Sequence, residues 1–331
     1  MSHLLCIGGT RFIGRHPVEE FLDAGYEVTL FNRGNHENPF ADDDRVSHTE
    51  GDRTSEGELR LAVERADPDV VVDTCAYFPR DVRAATDICG DAEVDAYVYI
   101  SSGAAYGAEE IPKREDETAL CECTTEQATE DSAASYGPRK AEGDRAIFEA
   151  AERGVNAMSV RPPVVYGPHD YTERFDYWID RCLEHDRIVV PGDGTNVWQK
   201  VYVKDVARAL RIVAERGDPG EAYNVGDEDA PTLGGWIERI ADAADTEVEP
   251  VYAGPRELDA GGLELDDFPG YRDPPHLLSL SKLRSLGWES TPHEESLPPT
   301  VEEHVEADRT GRDEGPDREA EERVLSILEV M

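Results

Sequence analysis

A glycine-rich turn near the N-terminus constrains the fold of this chain more than any other feature. It follows the apolar run Leu4–Ile7 and leads into the amphipathic stretch Phe12–Ala24. A second apolar run begins at Glu27. The turn is written Ile7-Gly8-Gly9-Thr10-Arg11-Phe12-Ile13-Gly14. Strand, glycine turn, helix and second strand in this order are typical of a βαβ unit, so the turn predicts an α/β fold of the Rossmann type.

The same alternation continues through the first 165 residues. Five apolar runs predict strands: Leu4–Ile7, Glu27–Phe31, Val70–Asp73, Tyr97–Ser101 and Val155–Val160. Apolar residues at helical spacing predict four helices: Phe12–Ala24, Thr54–Ala66, Arg80–Cys89 and Tyr136–Arg153. Strands that alternate with helices predict a doubly wound parallel sheet, with ligands at the carboxyl ends of its strands.

The regular alternation of predicted strands and helices ends after Pro168. We predict a Rossmann domain over residues 1–167, to which 197–226 return, and a small C-terminal substrate-binding lobe over 168–196 and 227–303. In this part Phe175–His185 predicts a helix and Val201–Ala214 a strand leading into a helix. Many Pro and Gly residues predict an irregular lid over Asp245–Thr300.

Residues 304–331 are predicted to form an acidic linker and a terminal helix. Asp308–Arg318 lacks periodicity, as a linker would, and Glu319–Met331 has apolar residues on one side. That helix can dock on its own domain or on a second subunit.

The charge balance is extreme, with 73 acidic residues against 33 basic ones. Four Trp, thirteen Tyr and a regular apolar periodicity argue against disorder, and the acids are spread along the whole chain rather than gathered in a tail. Five of the basic residues are lysines and the others arginines. The composition favours a surface that stays hydrated in high salt, as in halophilic proteins. It argues against nucleic-acid binding, which needs a basic face.

The sequence lacks the features of a membrane span, a signal peptide and a metal site, and these absences bear on cellular location and metal content. No run of eighteen apolar residues predicts a membrane span, and Met1-Ser2-His3 lacks the basic region of a signal peptide, so we expect a cytoplasmic protein. Cys121 and Cys123 form a lone C-x-C motif without obvious further ligands nearby. We therefore expect reduced thiols and no metal site.

The glycine turn has the chemistry of a phosphate cradle. Gly8 permits a tight turn, and Gly14 allows the helix to pack closely on the strand. The N-terminus of the helix points N–H groups and a positive dipole at a pyrophosphate. We therefore predict a nicotinamide dinucleotide here. The candidate binding residues in the turn are Gly8, Thr10, Arg11, Phe12, Ile13 and Gly14.

Two further positions bear on the cofactor. The second strand ends in Asn32 and Arg33, where an acidic residue would repel a 2′-phosphate. Asn32 removes this repulsion and Arg33 adds a positive charge, which favours NADP(H), although a solvated loop arginine is the alternative. Asp52 follows the third strand and is a candidate to bind the adenine amino group.

Tyr136 and Lys140 form a candidate acid–base pair. They are four residues apart at the start of a predicted helix, which places both on one face. A neighbouring ammonium favours the tyrosinate form, as a general acid/base for a hydroxyl or carbonyl requires. Ser102 follows a strand that ends at the same sheet edge, where it can orient Tyr136 and a substrate oxygen.

At this point the chain resembles an extended short-chain dehydrogenase/reductase of the NAD-dependent epimerase/dehydratase type. The matching segments keep the family's order over about residues 3–300 and are Gly8–Gly14, Ser101–Gly107, Tyr136–Lys140, Arg161–Pro168, Val201–Ala207, Tyr223–Gly226 and Ser281–Trp288. The resemblance implies that Ser102, Tyr136 and Lys140 are catalytic and that Lys140 also holds the nicotinamide ribose. It also implies that Pro163 and Val164 lie beside the nicotinamide ring, and that homodimers form through the helices around Arg80–Cys89 and Tyr136–Arg153.

The chain also departs from the family pattern. Arg11 replaces the second fingerprint glycine, a variant similar to an atypical branch that includes chloroplast stem-loop-binding proteins, which bind RNA. Trp198 stands where nucleotide-sugar epimerases have an arginine for the diphosphate, and Val164 lies near the position of their asparagine. Gly103 and Ala104 replace the acid pair of a dehydratase.

The leading hypothesis is an NAD(P)-dependent oxidoreductase or epimerase acting on a small hydroxyl or carbonyl compound, such as a sugar derivative. The alternative is a non-catalytic NAD(P)-binding module with a regulatory or RNA-binding role. Epimerase, reductase and dehydratase remain open, as does the substrate itself.

Overall fold

A computed structural model describes residues 2–329 of the chain. The strands β1–β11 are His3–Ile7, Glu27–Asn32, Val46–Glu50, Val70–Asp73, Ala96–Ile100, Ala157–Arg161, Val164–Tyr166, Arg187–Pro191, Lys200–Tyr202, Ala222–Asn224 and Glu249–Ala253. The α-helices α1–α11 are Phe12–Asp23, Glu56–Ala66, Pro79–Asp91, Ala133–Glu152, Asp176–Glu184, Val203–Arg216, Leu233–Ala244, Pro255–Gly261, Ser281–Ser285, His293–Glu306 and Arg318–Leu328. Short 3-10 helices lie at Gly103–Ala105, Leu265–Asp267 and Arg312–Glu314.

The chain divides into two compact units. The first, here called the sheet unit, contains the residues up to Val165 together with Val203–Gly226 and Leu278–Ser290. The second, here called the C-terminal unit, contains Tyr166–Tyr202, Asp227–Leu277 and the residues from Thr291 onward. No helix within residues 2–329 is long and apolar enough to cross a membrane.

Seven parallel strands form the sheet of the first unit, in the order β10-β6-β5-β4-β1-β2-β3. Leu5 of β1 lies opposite Thr29 of β2 on one side and Val71 of β4 on the other. The chain runs outward from β1 through β2 to β3 and then returns to β4, so the strand order reverses beside β1. Ligands bind at this reversal in doubly wound sheets. The predicted Rossmann-type fold is confirmed.

Both faces of the central strands are buried. On one face Leu5, Val71 and Tyr97 pack with Val63 of α2 and Ile147 of α4 in one apolar cluster. On the sheet, α1 packs against β1 and β2, α6 packs against β5 and β6, and these two helices also contact each other. A parallel sheet covered on both sides explains why its strands are almost continuously apolar rather than alternating.

The last third of the chain corrects one prediction. Asp245–Thr300 is not irregular: β11, α8 and α9 lie within it, and α10 begins there. Pro298 and Pro299 lie inside α10, where each removes a backbone hydrogen bond, and such residues disfavour a helix in sequence patterns. Leu297 and Val301 are nevertheless buried and α10 packs against α7, so tertiary packing outweighs the local preference.

The terminal helix docks within its own unit. Val324 and Leu325 of α11 are buried, and α11 packs against α8, where the backbone of Gly261 directly contacts Val324. Of the two docking modes that the sequence left open, the structure shows the one on the helix's own domain. Val330 and Met331, the last residues of the predicted helix, lie outside the described residues.

Candidate functional site

The glycine turn is built from close backbone approaches in the sheet unit. Gly8 and Gly9 have φ angles of +110° and +89°, in the region that favours glycine. A Cβ atom at Gly14 would lie 2.8 Å from the Gly9 nitrogen, so α1 reaches the turn only because Gly14 has no side chain. Thr74, which follows β4, donates to the Ile7 carbonyl through its N–H and its Oγ1, at 3.1 and 2.9 Å. The turn is therefore locked to two neighbouring strand ends.

These residues fit the pyrophosphate of a dinucleotide. The first turn of α1 contains no acidic residue, and the exposed Arg11 at its N-cap position makes no side-chain capping bond. The positive end of the helix dipole is thus not countered by a carboxylate. Phe12 is buried, while Thr10 and Ile13 are half-buried.

Asn32 holds the loop after β2 to the glycine turn. Its Nδ2 donates to the Gly8 carbonyl at 3.0 Å, and its Oδ1 accepts from Gly34 N–H at 2.9 Å and contacts His48 Nε2 at 3.1 Å. Arg33 is exposed. The Asn32 side chain therefore connects the loop after β2 to the glycine turn by hydrogen bonds. The charge next to a bound adenosine would come from Arg33.

Asp52 follows β3, as predicted. Its Oδ1 accepts from the Thr54 N–H and hydroxyl at 2.9 and 2.8 Å, and these hydrogen bonds lower the pKa of the Asp52 carboxyl. The next residue, Arg53, forms an ion pair with the fully buried Asp73 at the end of β4, which also accepts from Tyr97 Oη at 3.1 Å. The Arg53–Asp73 pair was not predicted from the sequence, in which a charged residue at the end of an apolar strand was the available signal.

Ser101 and Ser102 follow β5 and have different surroundings. Ser101 is buried and donates to Asp144 Oδ2 of α4 at 3.0 Å. Ser102 begins the 3-10 helix Gly103–Ala105, where its Oγ accepts from Ala104 N–H at 3.2 Å. The Ser102 hydroxyl therefore keeps its own hydrogen for donation to a ligand oxygen.

Helix α4 carries Tyr136 and Lys140 to the same place. It begins at Ala133, earlier than predicted, because Ser132 and Ser135 form a reciprocal capping box with two bonds of 3.2 Å. Next to Tyr136, a Cβ atom on Gly137 would lie 2.5 Å from the Ala104 carbonyl oxygen. The helix therefore touches the 3-10 turn that follows Ser102, and the half-buried Tyr136 stands beside this contact.

Lys140 reaches across two strand ends. Its Nζ donates to the carbonyls of Ala76, after β4, at 3.1 Å and of Ile100, in β5, at 2.8 Å. Burial lowers the pKa of Lys140 to about 8, against the opposing effect of the carboxylates of Asp73 and Asp144. The structure thus brings Ser102, Tyr136 and Lys140 together at the carboxyl end of β5. We call these three residues the open set.

A second group of polar residues adjoins the open set, since Ser101 precedes Ser102, and all its members are buried. Arg161, which ends β6, donates to Asp144 Oδ2 through Nε at 2.8 Å and to Tyr106 Oη through Nη1 at 2.9 Å. Tyr106 Oη donates in turn to Asn224 Oδ1 at 2.8 Å. With Ser101 bonded to Asp144, these residues form what we call the closed set: Ser101, Tyr106, Asp144, Arg161 and Asn224.

Pro163 lies on the short loop after β6 and Val164 is the first residue of β7, and both are half-buried. The preceding residue, Pro162, accepts from Gly103 N–H at 2.7 Å, so this loop adjoins the turn of Ser102. The structure therefore gathers the predicted catalytic residues and this loop at one sheet edge.

Comparison with known proteins gives the family. The model of the NAD dependent epimerase/dehydratase family matches residues 4–226. The chloroplast stem-loop binding protein of 41 kDa b from Arabidopsis thaliana is 28% identical over 299 residues, which cover 86% of this chain and 74% of that protein. The low-salt glycan biosynthesis protein Agl12 from Haloferax volcanii is 26% identical over 313 residues, 86% of this chain and 93% of that protein.

Solved structures of similar fold include two enzymes of sugar-nucleotide metabolism. The dTDP-glucose 4,6-dehydratase of Bacillus anthracis, in complex with NAD, has a TM-score of 0.72 at 20% identity and covers 92% of this chain and 97% of its own. The UDP-glucose 4-epimerase of Thermotoga maritima, with UDP-glucose, has a TM-score of 0.71 at 22% identity and covers 93% and 100%. The resemblance inferred from the motifs is thereby confirmed, and the chain belongs to the NAD dependent epimerase/dehydratase family.

Proposed function

We propose that this chain is an NAD(P)-dependent oxidoreductase or epimerase that acts on a hydroxyl or carbonyl group of a sugar derivative. The observation that carries the proposal is the open set, because Ser102, Tyr136 and Lys140 meet at one strand end next to the glycine turn. The named activities of the dehydratase and epimerase of similar fold, and of Agl12, point to the same substrate class.

The residues of the open set have separate roles in this proposal. A bound dinucleotide supplies the hydride acceptor or donor. Tyr136 Oη exchanges a proton with the substrate oxygen as general acid/base. Ser102 Oγ donates a hydrogen bond to the same oxygen, and Lys140 stabilises the tyrosinate and holds the nicotinamide ribose. Gly8, Thr10, Arg11, Ile13 and Gly14 hold the pyrophosphate, with the Phe12 backbone.

The experiment that tests this role compares Tyr136→Phe with the wild type. Product formation is followed on a panel of sugar nucleotides and free sugars with NAD or NADP, in molar salt. Removal of the acid/base hydroxyl is expected to lower the rate by about 10²- to 10⁴-fold. The matched control is Tyr26→Phe, which removes a hydroxyl from a half-buried tyrosine just before β2, at the opposite edge of the sheet, and should leave the rate unchanged. Equal rates for Tyr136→Phe and wild type would contradict the proposal. They would favour a non-catalytic, RNA-binding role, as the likeness to the stem-loop binding protein implies.

NADP(H) is the preferred cofactor in this proposal. The side chain at the end of β2 is the uncharged Asn32, and the exposed Arg33 follows it. A guanidinium binds a phosphate more strongly than a hydroxyl. The opposing local charge is Glu50, whose carboxylate carbon would lie 3.3 Å from a Cβ atom on Gly34.

Paired titrations with NAD and NADP test this preference. We expect wild type to bind NADP roughly ten- to hundredfold more tightly, the size of one charge-assisted hydrogen bond. Arg33→Ala should remove the difference, while Arg65→Ala, on the exposed end of α2, should keep it. Tighter binding of NAD by the wild type would overturn the preference for NADP.

A further inference from the structure

An aromatic side chain is unusually exposed at the centre of the sheet edge. Tyr77 follows β4 and is 52% exposed, although Val71, Val72 and Asp73 before it are fully buried. In the sheet, β4 lies between β1, which leads to the glycine turn, and β5, which leads to Ser102. Tyr77 therefore stands between the predicted cofactor turn and the open set.

The backbone of Tyr77 is held in place on its far side. The guanidinium of the buried Arg139 donates to the Tyr77 carbonyl through Nη1 at 3.4 Å and lies 4.8 Å from the centre of the Phe78 ring. A second guanidinium, that of Arg80, lies 4.9 Å from the same ring. Helix α3 begins directly afterwards, at Pro79. These contacts fix the backbone from which the exposed Tyr77 ring projects.

The ring of Tyr77 forms part of the surroundings of Lys140. Lys140 Nζ lies 5.6 Å from the centre of the Tyr77 ring and 4.7 Å from that of Tyr99. Both distances are within the range of cation–π attraction. With the carbonyls of Ala76 and Ile100, the ammonium has two aromatic faces and two acceptors around it. Tyr99 is buried, so Tyr77 is the aromatic wall on the solvent side.

Charged groups reach Lys140 from several elements. Asp73 approaches from β4 and Asp144 from α4, and both favour the ammonium form. Cys75, after β4, acts in the same direction, and Arg139 of α4 acts against it. Burial is the largest influence, and it lowers the pKa of Lys140 to about 8. The exclusion of water from the site therefore has the largest influence on whether Lys140 is protonated between neutral and alkaline pH.

We propose that Tyr77 is a positioning residue for Lys140: its ring keeps water away from the ammonium and holds it against the strand ends, where the cofactor ribose would bind. The contact with the ribose rests on the proposed function, whereas the shielding of Lys140 does not. Loss of the ring removes the cation–π attraction, which by itself would lower the pKa of Lys140. It also lets water solvate the ammonium, which raises that pKa, and because burial is the largest influence on Lys140 we expect solvation to outweigh the lost attraction. The lysine then titrates at higher pH.

Nuclear magnetic resonance of lysine labelled with ¹³C at Cε tests the shielding directly. The chain has five lysines, so the Lys140 signal is assigned by its loss in Lys140→Met. We expect a titration midpoint near the pKa of about 8 in the wild type. Tyr77→Ala should raise the midpoint by roughly one unit or more, and Tyr77→Phe, which keeps the ring, should leave it in place. The same midpoint in Tyr77→Ala and wild type, or a shift in Tyr77→Phe equal to that in Tyr77→Ala, would overturn the inference.

Addition of NAD or NADP to the labelled protein separates this inference from the proposed function. A bound dinucleotide should shift the Lys140 signal in the wild type and in Tyr77→Phe, with weaker binding by Tyr77→Ala. If the dinucleotide leaves the wild-type signal unchanged while the midpoint still moves in Tyr77→Ala, the shielding stands and the proposed cofactor site fails.

Discussion

Ser101 and Ser102 both follow β5, but their side chains have different surroundings. The residues next to them differ in the same way. Ser101 belongs to the closed set, whose hydrogen bonds run from Asp144 through Arg161 and Tyr106 to Asn224 without reaching solvent. Ser102 belongs to the open set, where Tyr136 is half-buried. The same residue types, a serine, a tyrosine and a cation, occur in both sets.

The difference lies in how the hydrogen-bonding groups are used. In the closed set, burial raises the pKa of the Tyr106 phenol to about 12, so it stays protonated at neutral pH, and its hydroxyl bonds Arg161 and Asn224. In the open set, Ser102 and Lys140 retain donors after their protein bonds are counted. Within residues 2–329, Asp144 Oδ1 and Arg161 Nη2 are buried without a hydrogen-bond partner, so the closed set is not fully paired either. What distinguishes the open set is that its remaining donors lie at a strand end, where ligands bind in doubly wound sheets.

Asp144→Asn is expected to have the largest effect on stability. Arg161 and Asp144 are both fully buried, and asparagine keeps the shape of aspartate while removing the counter-charge. Breaking a buried ion pair from one side costs about 3–5 kcal/mol of unfolding free energy. Urea denaturation measures this loss, and Glu64→Gln on the exposed face of α2 is the control, expected within about 0.5 kcal/mol of wild type. A loss below about 1 kcal/mol would show that the closed set does not stabilise the sheet edge.

Gly137→Ala is expected to have a smaller effect on stability and to lower product formation as well. The new Cβ atom would lie 2.5 Å from the Ala104 carbonyl oxygen, so α4 must move away from the turn of Ser102. Such overpacking costs about 1–3 kcal/mol of unfolding free energy, and the displacement of Tyr136 should also lower product formation. Gly57→Ala is the matched control: nothing lies within 4 Å of its Cβ position in α2, so a gain of about 0.4–1 kcal/mol is expected. Equal stability of the two variants would contradict the close approach at Gly137.

The open set was easier to predict from sequence than the closed set. Tyr136 and Lys140 are four residues apart on one helix, and the glycine turn lies between a strand and a helix, so local spacing was enough. Family resemblance was needed to prefer Ser102 over Ser101. The closed set joins Asp144 to Arg161 and Tyr106 to Asn224, which is 118 residues away, and such pairings depend on the strand order.

Other features were hidden for related physical reasons. The hydrogen bond from Asn32 to the Gly8 carbonyl depends on β2 lying beside the glycine turn. From the sequence, only the absence of a negative charge at Asn32 could be interpreted. The ion pair of Arg53 with the buried Asp73 connects the ends of β3 and β4, which are not neighbours in the sheet. Helix α10 was missed because Pro298 and Pro299 disfavour a helix locally, whereas packing on α7 stabilises it.

The most direct test of the contrast removes one tyrosine hydroxyl from each set. Product formation from the sugar-nucleotide panel and urea denaturation are measured together for Tyr136→Phe and Tyr106→Phe. Tyr136→Phe should lower the rate by about 10²- to 10⁴-fold with little change in stability. Tyr106→Phe should cost about 1–3 kcal/mol of unfolding free energy, because buried partners lose their bond, and should keep most of the rate. A Tyr136→Phe protein that forms product as fast as the Tyr106→Phe protein would contradict the assignment of catalysis to the open set.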